Sequence, residues 1–325
     1  MINLNIFSQY RSALMGFSTV LILICHSIEY IGVNKGLMYH LLIQGNRGVD
    51  IFLFLSGIGI YYSLNRIPPP ISQKLPYWYA KRLFRVLIPY VIIAIPVYIT
   101  MGIWNYETLY GYISDFITNI LMISYFTNHI GLWFIPCILL LYIVAPLGMY
   151  IKKSAKKILF ALGITIVFEL LSYYDFENNV TRNFSILLVK SIPFIWGLVV
   201  APFVASQCKI KTHYIIIVPL LIAIPLRSLH LYYEWTFMFV MMLLVIFLSK
   251  KSNMANKILS VLGRISLESY LFNWALIELY VKITPFNASL SVHYLIACIA
   301  GLFFSYLFNK YISSKLRISL LSNKS

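Results

Sequence analysis

The chain has 325 residues, of which 60% are hydrophobic and only 11% are charged. A soluble globular domain carries about 25% charged residues, so this composition excludes an ordinary soluble protein. The mean hydropathy is +0.82, and apolar runs of about 20 residues recur along the chain, as in a helical membrane protein. We therefore predict a single all-α integral membrane domain over residues 1–325.

Hydropathy predicts about ten transmembrane helices. The first apolar run is long enough to span a bilayer and lacks a small-residue cleavage site, so we expect a retained helix and not a removed signal peptide. The predicted spans are 12–32, 48–65, 84–103, 132–150, 157–174, 187–205, 213–230, 234–249, 262–281 and 290–309.

The net charge of +16 is compatible with a nucleic-acid partner, but the placement of the charges argues against one. With these spans, most of the 26 Lys and Arg residues fall on one side of the membrane. Cytoplasmic loops carry such an excess, so both termini are expected in the cytoplasm, with membrane lipids and not nucleic acid around the chain.

The segment "LYGYISDFITNILMISYF" (109–126) is apolar enough to resemble an additional span. If it crossed, the later loops would change sides and the basic run "KKSAKK" (152–157) would lie outside, against the positive-inside rule. We therefore predict an amphipathic or re-entrant helix near 109–126, on the outer face.

The first span contains an imidazole, His26, within an otherwise apolar run. Ionisable groups inside spans are costly and usually face a bundle interior or a wet cavity, although a histidine can also act as a packing contact between helices. Glu29 follows three residues later on the same helix face, where it could orient the ring. Arg11 precedes His26 by fifteen residues, about 60° from the same face and roughly 22 Å along the axis.

The second span opens with "NRGVDIFLFLSGIGIYYS" (46–63), in which Arg47 and Asp50 are three residues apart. A lone carboxylate just inside a span is expensive, so Asp50 requires a partner. That partner is Arg47, His26 or a substrate hydroxyl. The four cysteines form no C-x-x-C motif and are scattered along the chain, so we expect neither a metal site nor a disulfide framework.

Six stretches together resemble the membrane acyltransferase-3 family, in the order found there. They are "RSALMGFSTVLILICHS", "NRGVDIFLFLSGIGIYYS", "YWYAKRLFRVLIPY", "GLWFIPCILLLYIVAPL", "IPFIWGLVVA" and "LGRISLESYLFNW". The resemblance covers nearly the whole chain and implies a bacterial inner-membrane protein with ten core helices. It implies transfer of an acetyl group from cytoplasmic acetyl-CoA to a hydroxyl of a cell-surface or lipid-linked saccharide.

The resemblance also implies roles for individual residues. His26 matches a first-helix histidine thought to act in acyl transfer, and an imidazole with a pKa near 6.5 suits a general base at neutral pH. Asp50 matches the acidic residue of the second-helix motif, and either Asp50 or Glu29 is expected to orient the base. Direct transfer and a transient acetyl-histidine both remain open.

On the donor side, Arg82 and Arg85 match an R-x-x-R pair at the cytoplasmic end of the third helix. With Lys81, they offer bidentate and point-charge contacts to the phosphates of coenzyme A, although positive-inside anchoring would also place cations there. The sequence departs from the family at one of these positions. The family usually has an arginine eleven residues before the histidine, whereas this chain has Met15 there. Arg11, one turn earlier, is expected to replace it in donor binding.

Three further residues are candidates for binding the acceptor: Arg47, Trp133 and Asn273. Trp133 lies at the outer end of a span, as a membrane anchor or a platform for a sugar ring. Asn273 occupies a position where the family often has histidine, and an amide can hydrogen-bond but cannot move protons at neutral pH. The alternatives to an acyltransferase are a transporter or flippase of lipid-linked sugars, and an oligosaccharide polymerase.

Overall fold

The computed structural model describes residues 1–105, 108–127, 132–149, 154–173, 179–228, 234–281 and 290–315, and they are almost entirely helical. The helical class predicted from the sequence is therefore confirmed. The helices are α1 (Ile6–Gln9), α2 (Arg11–His26), α3 (Ile28–Ile31), α4 (Gly36–Ile43), α5 (Arg47–Leu64), α6 (Ile71–Asn105), α7 (Leu109–Ile120), α8 (Ser124–Thr127), α9 (Phe134–Val144), α10 (Ser154–Tyr173), α11 (Asn179–Ala205), α12 (Thr212–Ser228), α13 (Met238–Lys251), α14 (Asn253–Arg264), α15 (Ser266–Leu276) and α16 (Leu290–Phe308).

Short irregular helical turns extend several of these helices. They are the 3₁₀ turns Gln44–Asn46, Ala145–Met149 and Glu234–Phe237, and the π-helical turns Ile277–Val281 and Asn309–Ser313. Two short strands, β1 (Ile2–Asn3) and β2 (Lys209–Ile210), pair antiparallel. This pairing attaches the N-terminus to the connection between α11 and α12.

Helix α5 lies at the centre of the bundle. Its side chains enter both apolar cores: Leu53 packs in one core with residues of α6, α9 and α15, and Phe54 packs in the other with residues of α2, α11 and α13. A helix that is apolar on all sides is buried on all sides, so α5 supports the two halves of the fold.

Glycines allow two helix pairs to approach closely. Gly16 of α2 and Gly263 of α14 face each other's backbone, and a Cβ on Gly263 would lie 1.9 Å from the main-chain oxygen of Ser12. Gly57 of α5 and Gly197 of α11 meet in the same way. Small residues permit this approach in membrane bundles, where packing drives helix association.

Four helices within the described residues are long and apolar enough to cross a membrane, judged by length and composition. They are Arg11–Ile31, Ile71–Trp104, Val180–Ala205 and Ser291–Ser313, with shorter apolar helices at Phe134–Gly148 and Thr212–Leu221. The count of ten spans and the cytoplasmic termini remain predictions. The expected span at 262–281 is interrupted, because Ile265 separates α14 from α15 and the π-helical turn follows α15.

Two segments differ in length from ordinary spans. Helix α7 has 12 residues, so it extends over about 18 Å, less than the roughly 30 Å hydrocarbon core. The interpretation of 109–126 as an amphipathic or re-entrant segment on the outer face remains a prediction. Helix α6 has 35 residues and begins well before the expected start at residue 84.

Candidate active site

Two cavities lie one after the other along the same helices. One has a volume of about 350 Å³ and contains the side chains of Arg11, Lys81, Arg82 and Arg85; we call it the basic cavity. The other has a volume of about 390 Å³ and contains His26; we call it the histidine cavity. Residues of α2, α5, α9 and α15 line both, so these four helices contribute to both chambers.

Helix α2 runs from one cavity to the other. Arg11 at its start lines the basic cavity, and His26 at its end lines the histidine cavity. The helix rise of about 1.5 Å per residue separates these two positions by roughly 22 Å along the axis. The sequence predicted this arrangement of a cation and a base on one helix.

Two guanidinium groups of the basic cavity are held by hydrogen bonds to neighbouring elements. Arg11 Nε donates to the main-chain oxygen of Leu55 at 3.3 Å, and its guanidinium lies against Gly59, where a Cβ would be 2.6 Å from a terminal nitrogen. Arg82 Nε donates to Ser63 Oγ at 3.2 Å. Such fixed groups can receive an anion with less loss of side-chain entropy.

The R-x-x-R pair lies inside the continuous helix α6 and not at its end, because α6 begins at Ile71. The pair therefore does not lie in the first turn of the helix, and its place at the cytoplasmic side of the membrane remains a prediction. Both side chains line the basic cavity, as does Lys81.

The basic cavity includes two charged residues that the sequence did not identify as site residues. Arg264, at the end of α14, adds a fifth cation, and the buried Glu268 of α15 adds a carboxylate. Glu268 accepts a hydrogen bond from Asn309 Nδ2 at 2.9 Å. A signal was available in the sequence, since Glu268 is a carboxylate inside the predicted span 262–281, where an ionisable group is costly.

The histidine cavity brings together three of the predicted residues. His26 and Glu29, on either side of the short break at Ser27, both line it, and Trp133 lines it as well. Tyr39 of α4 and Tyr270 of α15 add aromatic side chains that the sequence did not indicate. This cavity therefore combines a base, a carboxylate and flat apolar surfaces.

Asp50 does not line either cavity. It is fully buried, and its carboxylate receives Lys190 Nζ at 2.9 Å and lies 3.6 Å from an Arg47 guanidinium nitrogen. Of the partners that the sequence left open for Asp50, the structure shows Arg47, and it adds Lys190 from α11. Asp50 and Arg47 therefore lie in a buried ion-pair cluster with Lys190 and do not line either cavity.

Asn273 also lies outside both cavities. Its amide nitrogen donates to the main-chain oxygen of Ser269 at 2.7 Å, and the side chain packs on Gly301 of α16. A Cβ at Gly301 would lie 2.6 Å from the amide oxygen. Asn273 therefore connects α15 and α16, and the structure does not place it where an acceptor could reach it.

Within the described residues, no group of three or more His, Cys, Asp or Glu side chains could hold a metal ion. The four cysteines are free and lie on separate parts of the fold. The chemistry of the two cavities therefore has to be read from the cations, the imidazole and the carboxylates that line them.

Comparison with known proteins identifies the family. A family model described as an acyltransferase domain, of the acyltransferase-3 type, matches residues 13–310. The chain belongs to the membrane acyltransferase-3 family. It is a membrane acyltransferase. No curated protein and no solved structure gave a significant match.

For a membrane acyltransferase, the two cavities have complementary chemistry. The five cations of the basic cavity are suited to a donor with several negative charges. Charge-assisted hydrogen bonds to phosphate are strong, and a guanidinium group can bind a phosphate group through two parallel hydrogen bonds. An imidazole on the other side is suited to take a proton from an attacking hydroxyl.

Proposed function

We propose that this acyltransferase moves an acetyl group from acetyl-CoA, on the cytoplasmic side, to a hydroxyl of a cell-surface or lipid-linked saccharide. The bacterial cytoplasmic membrane is the proposed location. The observation that carries the proposal is that α2 reaches both cavities, with Arg11 in the basic cavity and His26 in the histidine cavity. The family assignment favours this activity over a flippase or a polymerase.

The basic cavity is the proposed donor site. Arg11, Lys81, Arg82 and Arg85 surround a space of about 350 Å³, with Arg264 at its edge. These groups would hold the phosphates of coenzyme A, while the uncharged thioester arm extends along α2 toward the histidine cavity. A cavity with five cations and one carboxylate discriminates against cationic or neutral ligands.

The histidine cavity is the proposed acceptor site. Trp133, Tyr39 and Tyr270 provide aromatic faces on which the apolar face of a sugar ring can pack, and Glu29 provides an acceptor for its hydroxyl groups. The acidic and aromatic lining contrasts with the basic cavity. Donor and acceptor would therefore enter different chambers.

His26 is the proposed general base. The acceptor oxygen forms a bond to the thioester carbonyl carbon, the carbon–sulfur bond breaks, and the hydroxyl proton passes to the imidazole. The coenzyme A thiolate then receives a proton, which restores the neutral ring. Glu29 is the proposed orienting group, since the two side chains line the same cavity and interact electrostatically. A transient acetyl-histidine is the alternative route for the same residue.

The test compares acetyl signals in NMR spectra of the surface polysaccharide from cells with wild-type protein, His26→Ala or His213→Ala. His213 is exposed on α12 and lines neither cavity, which makes it a matched control. We expect loss of the acetyl signals with His26→Ala and wild-type signals with His213→Ala, at equal amounts of membrane-inserted protein. Full acetylation by His26→Ala would overturn the assignment.

A further inference from the structure

The two cavities share one wall. Phe52 of α5, Phe134 of α9, and Ser266 and Leu267 of α15 line both the basic cavity and the histidine cavity. Three of these four side chains are large and apolar. A group that passes directly from one chamber to the other passes these side chains.

The wall is held together by ring contacts. The centroids of Phe52 and Phe134 are 5.3 Å apart, with the rings at 84°, and those of Phe134 and Tyr270 are 5.5 Å apart at 66°. Both contacts are edge-to-face. Phe134 is therefore the central ring, and it is buried, whereas Phe52 and Leu267 are half-buried.

This wall differs in chemistry from both chambers. The one polar member, Ser266, donates its hydroxyl to the main-chain oxygen of Gly263 at 3.1 Å. The surface left between the chambers is apolar, so water and phosphate groups would lose their hydration on entering it. An uncharged thioester arm loses far less hydration on the same path.

We propose that Phe52, Phe134 and Leu267 form a partition between the donor and acceptor chambers, which opens when the uncharged arm of the donor passes between the rings. This inference rests on the proposed function, because it assigns a thioester donor to the basic cavity. In the closed state the partition keeps the phosphates and the other solutes of the basic cavity out of the histidine cavity. In the open state it guides the thioester carbonyl toward His26. The three side chains are positioning residues and not catalytic ones.

The native Cys25 provides a probe of the partition. It lines the histidine cavity, and its thiol is free. In a variant that retains only Cys25, a small anionic methanethiosulfonate reagent added on the side of the basic cavity has to cross the partition to reach the thiol. Sealed vesicles of both orientations allow the reagent to be added from each side separately.

We expect slow labelling of Cys25 from the basic side in the otherwise wild-type protein. Phe134→Ala removes the central ring, and the lost edge-to-face contacts should raise the labelling rate by about tenfold. Phe52→Ala should raise it as well. The control is Phe54→Ala on the same helix: Phe54 is fully buried in edge contacts with Phe7 and Phe239 and lines neither cavity.

Equal labelling rates in the wild-type background, Phe134→Ala and Phe52→Ala would overturn the proposal. So would labelling of the wild-type background that is as fast from the basic side as from the opposite side. Labelling from the opposite side reports whether each variant is folded, because the histidine cavity has to be intact for a normal rate.

The labelling experiment needs no turnover, so it separates the partition from the proposed function. It can be performed in the His26→Ala background, in which we expect no transfer. If His26→Ala still acetylates the polysaccharide, the assignment of the base fails while the labelling result stands. If the labelling rates do not change, the partition fails while the assignment of the base stands.

Discussion

A methyl group at Gly16 tests the close approach of α2 and α14. In the structure, a Cβ at this position would lie 1.8 Å from the main-chain oxygen of Leu259 and 2.9 Å from the amide nitrogen of Gly263. Favourable contacts between heavy atoms lie near 3.5 Å, so the two helices would have to separate by roughly 1.5 Å. The opposing atoms belong to the backbone, and no side-chain rotation can relieve the contact.

The displacement should affect both stability and activity. Inserting a methyl group into a well-packed interface costs about 1–3 kcal/mol of unfolding free energy. Helix α2 also carries Arg11 and His26, and a displacement of about 1 Å in a catalytic group can reduce the rate by about 10²-fold. We therefore expect Gly16→Ala to lower acyl transfer by about two orders of magnitude.

The assay is acetyl-CoA-dependent transfer in membranes, normalised to the amount of protein, together with thermal unfolding of the purified protein. Gly163→Ala in α10 is the matched control, because nothing lies within 4 Å of its Cβ position. That control should gain about 0.5–1 kcal/mol, since alanine is favoured over glycine inside a helix. If Gly16→Ala kept full activity and unfolded at the same temperature as Gly163→Ala, the close approach would not exist in the protein.

Three further substitutions test separate parts of the site and its support. Arg85→Ala should raise the acetyl-CoA concentration for half-maximal rate by about 10–100-fold, because it removes one charged hydrogen bond. The control is Lys251→Ala, at an exposed position, which should leave this concentration unchanged. An unchanged concentration dependence for Arg85→Ala would refute the donor-site role. Asp50→Asn should lower the unfolding free energy by about 3–5 kcal/mol because it breaks the buried contact to Lys190, and an unchanged melting temperature would contradict this. Tyr125→Phe removes a buried 2.6 Å hydrogen bond to a main-chain oxygen of α11 and should cost about 1 kcal/mol, which denaturant unfolding can measure.

The part of the site on α2 was predictable because a helix has fixed dimensions. Once 12–32 was assigned as one helix, the rise and turn per residue placed Arg11 and His26 on nearby faces at a known separation. Glu29 followed by the same rule, since residues three apart are neighbours on a helix surface. The structure places all three at the cavities.

Contacts between distant parts of the chain were not predictable from local patterns. Lys190 lies 140 residues from Asp50, yet it is buried against the Asp50 carboxylate. Hydropathy assigns a charge to a side of the membrane and says nothing about its partner. The same limit explains why Arg264 was not assigned to the donor site.

The positions at which helices break were also not predicted from the sequence. The expected span at 262–281 has its break at Ile265, and residues on both sides of that break line cavities: Arg264 lines the basic cavity, and Tyr270 lines the histidine cavity. No proline or positive-φ glycine marks the bend. Gly263, the last residue but one of α14, packs against the backbone of Ser12 of α2 beside this break.

The helix bundle and the wall between the two cavities contribute to the site in different ways. The spacing of α2, α5, α11 and α14 depends on glycine contacts that involve backbone atoms, so the positions of the two cavities are fixed by the bundle itself. The wall between the cavities is lined by the side chains of Phe52, Phe134 and Leu267, with Phe134 as its central ring. Side-chain rotation requires no helix movement and is faster than collective backbone motion. A thioester arm could therefore pass between the chambers while the cations of the basic cavity and the imidazole of His26 keep their positions.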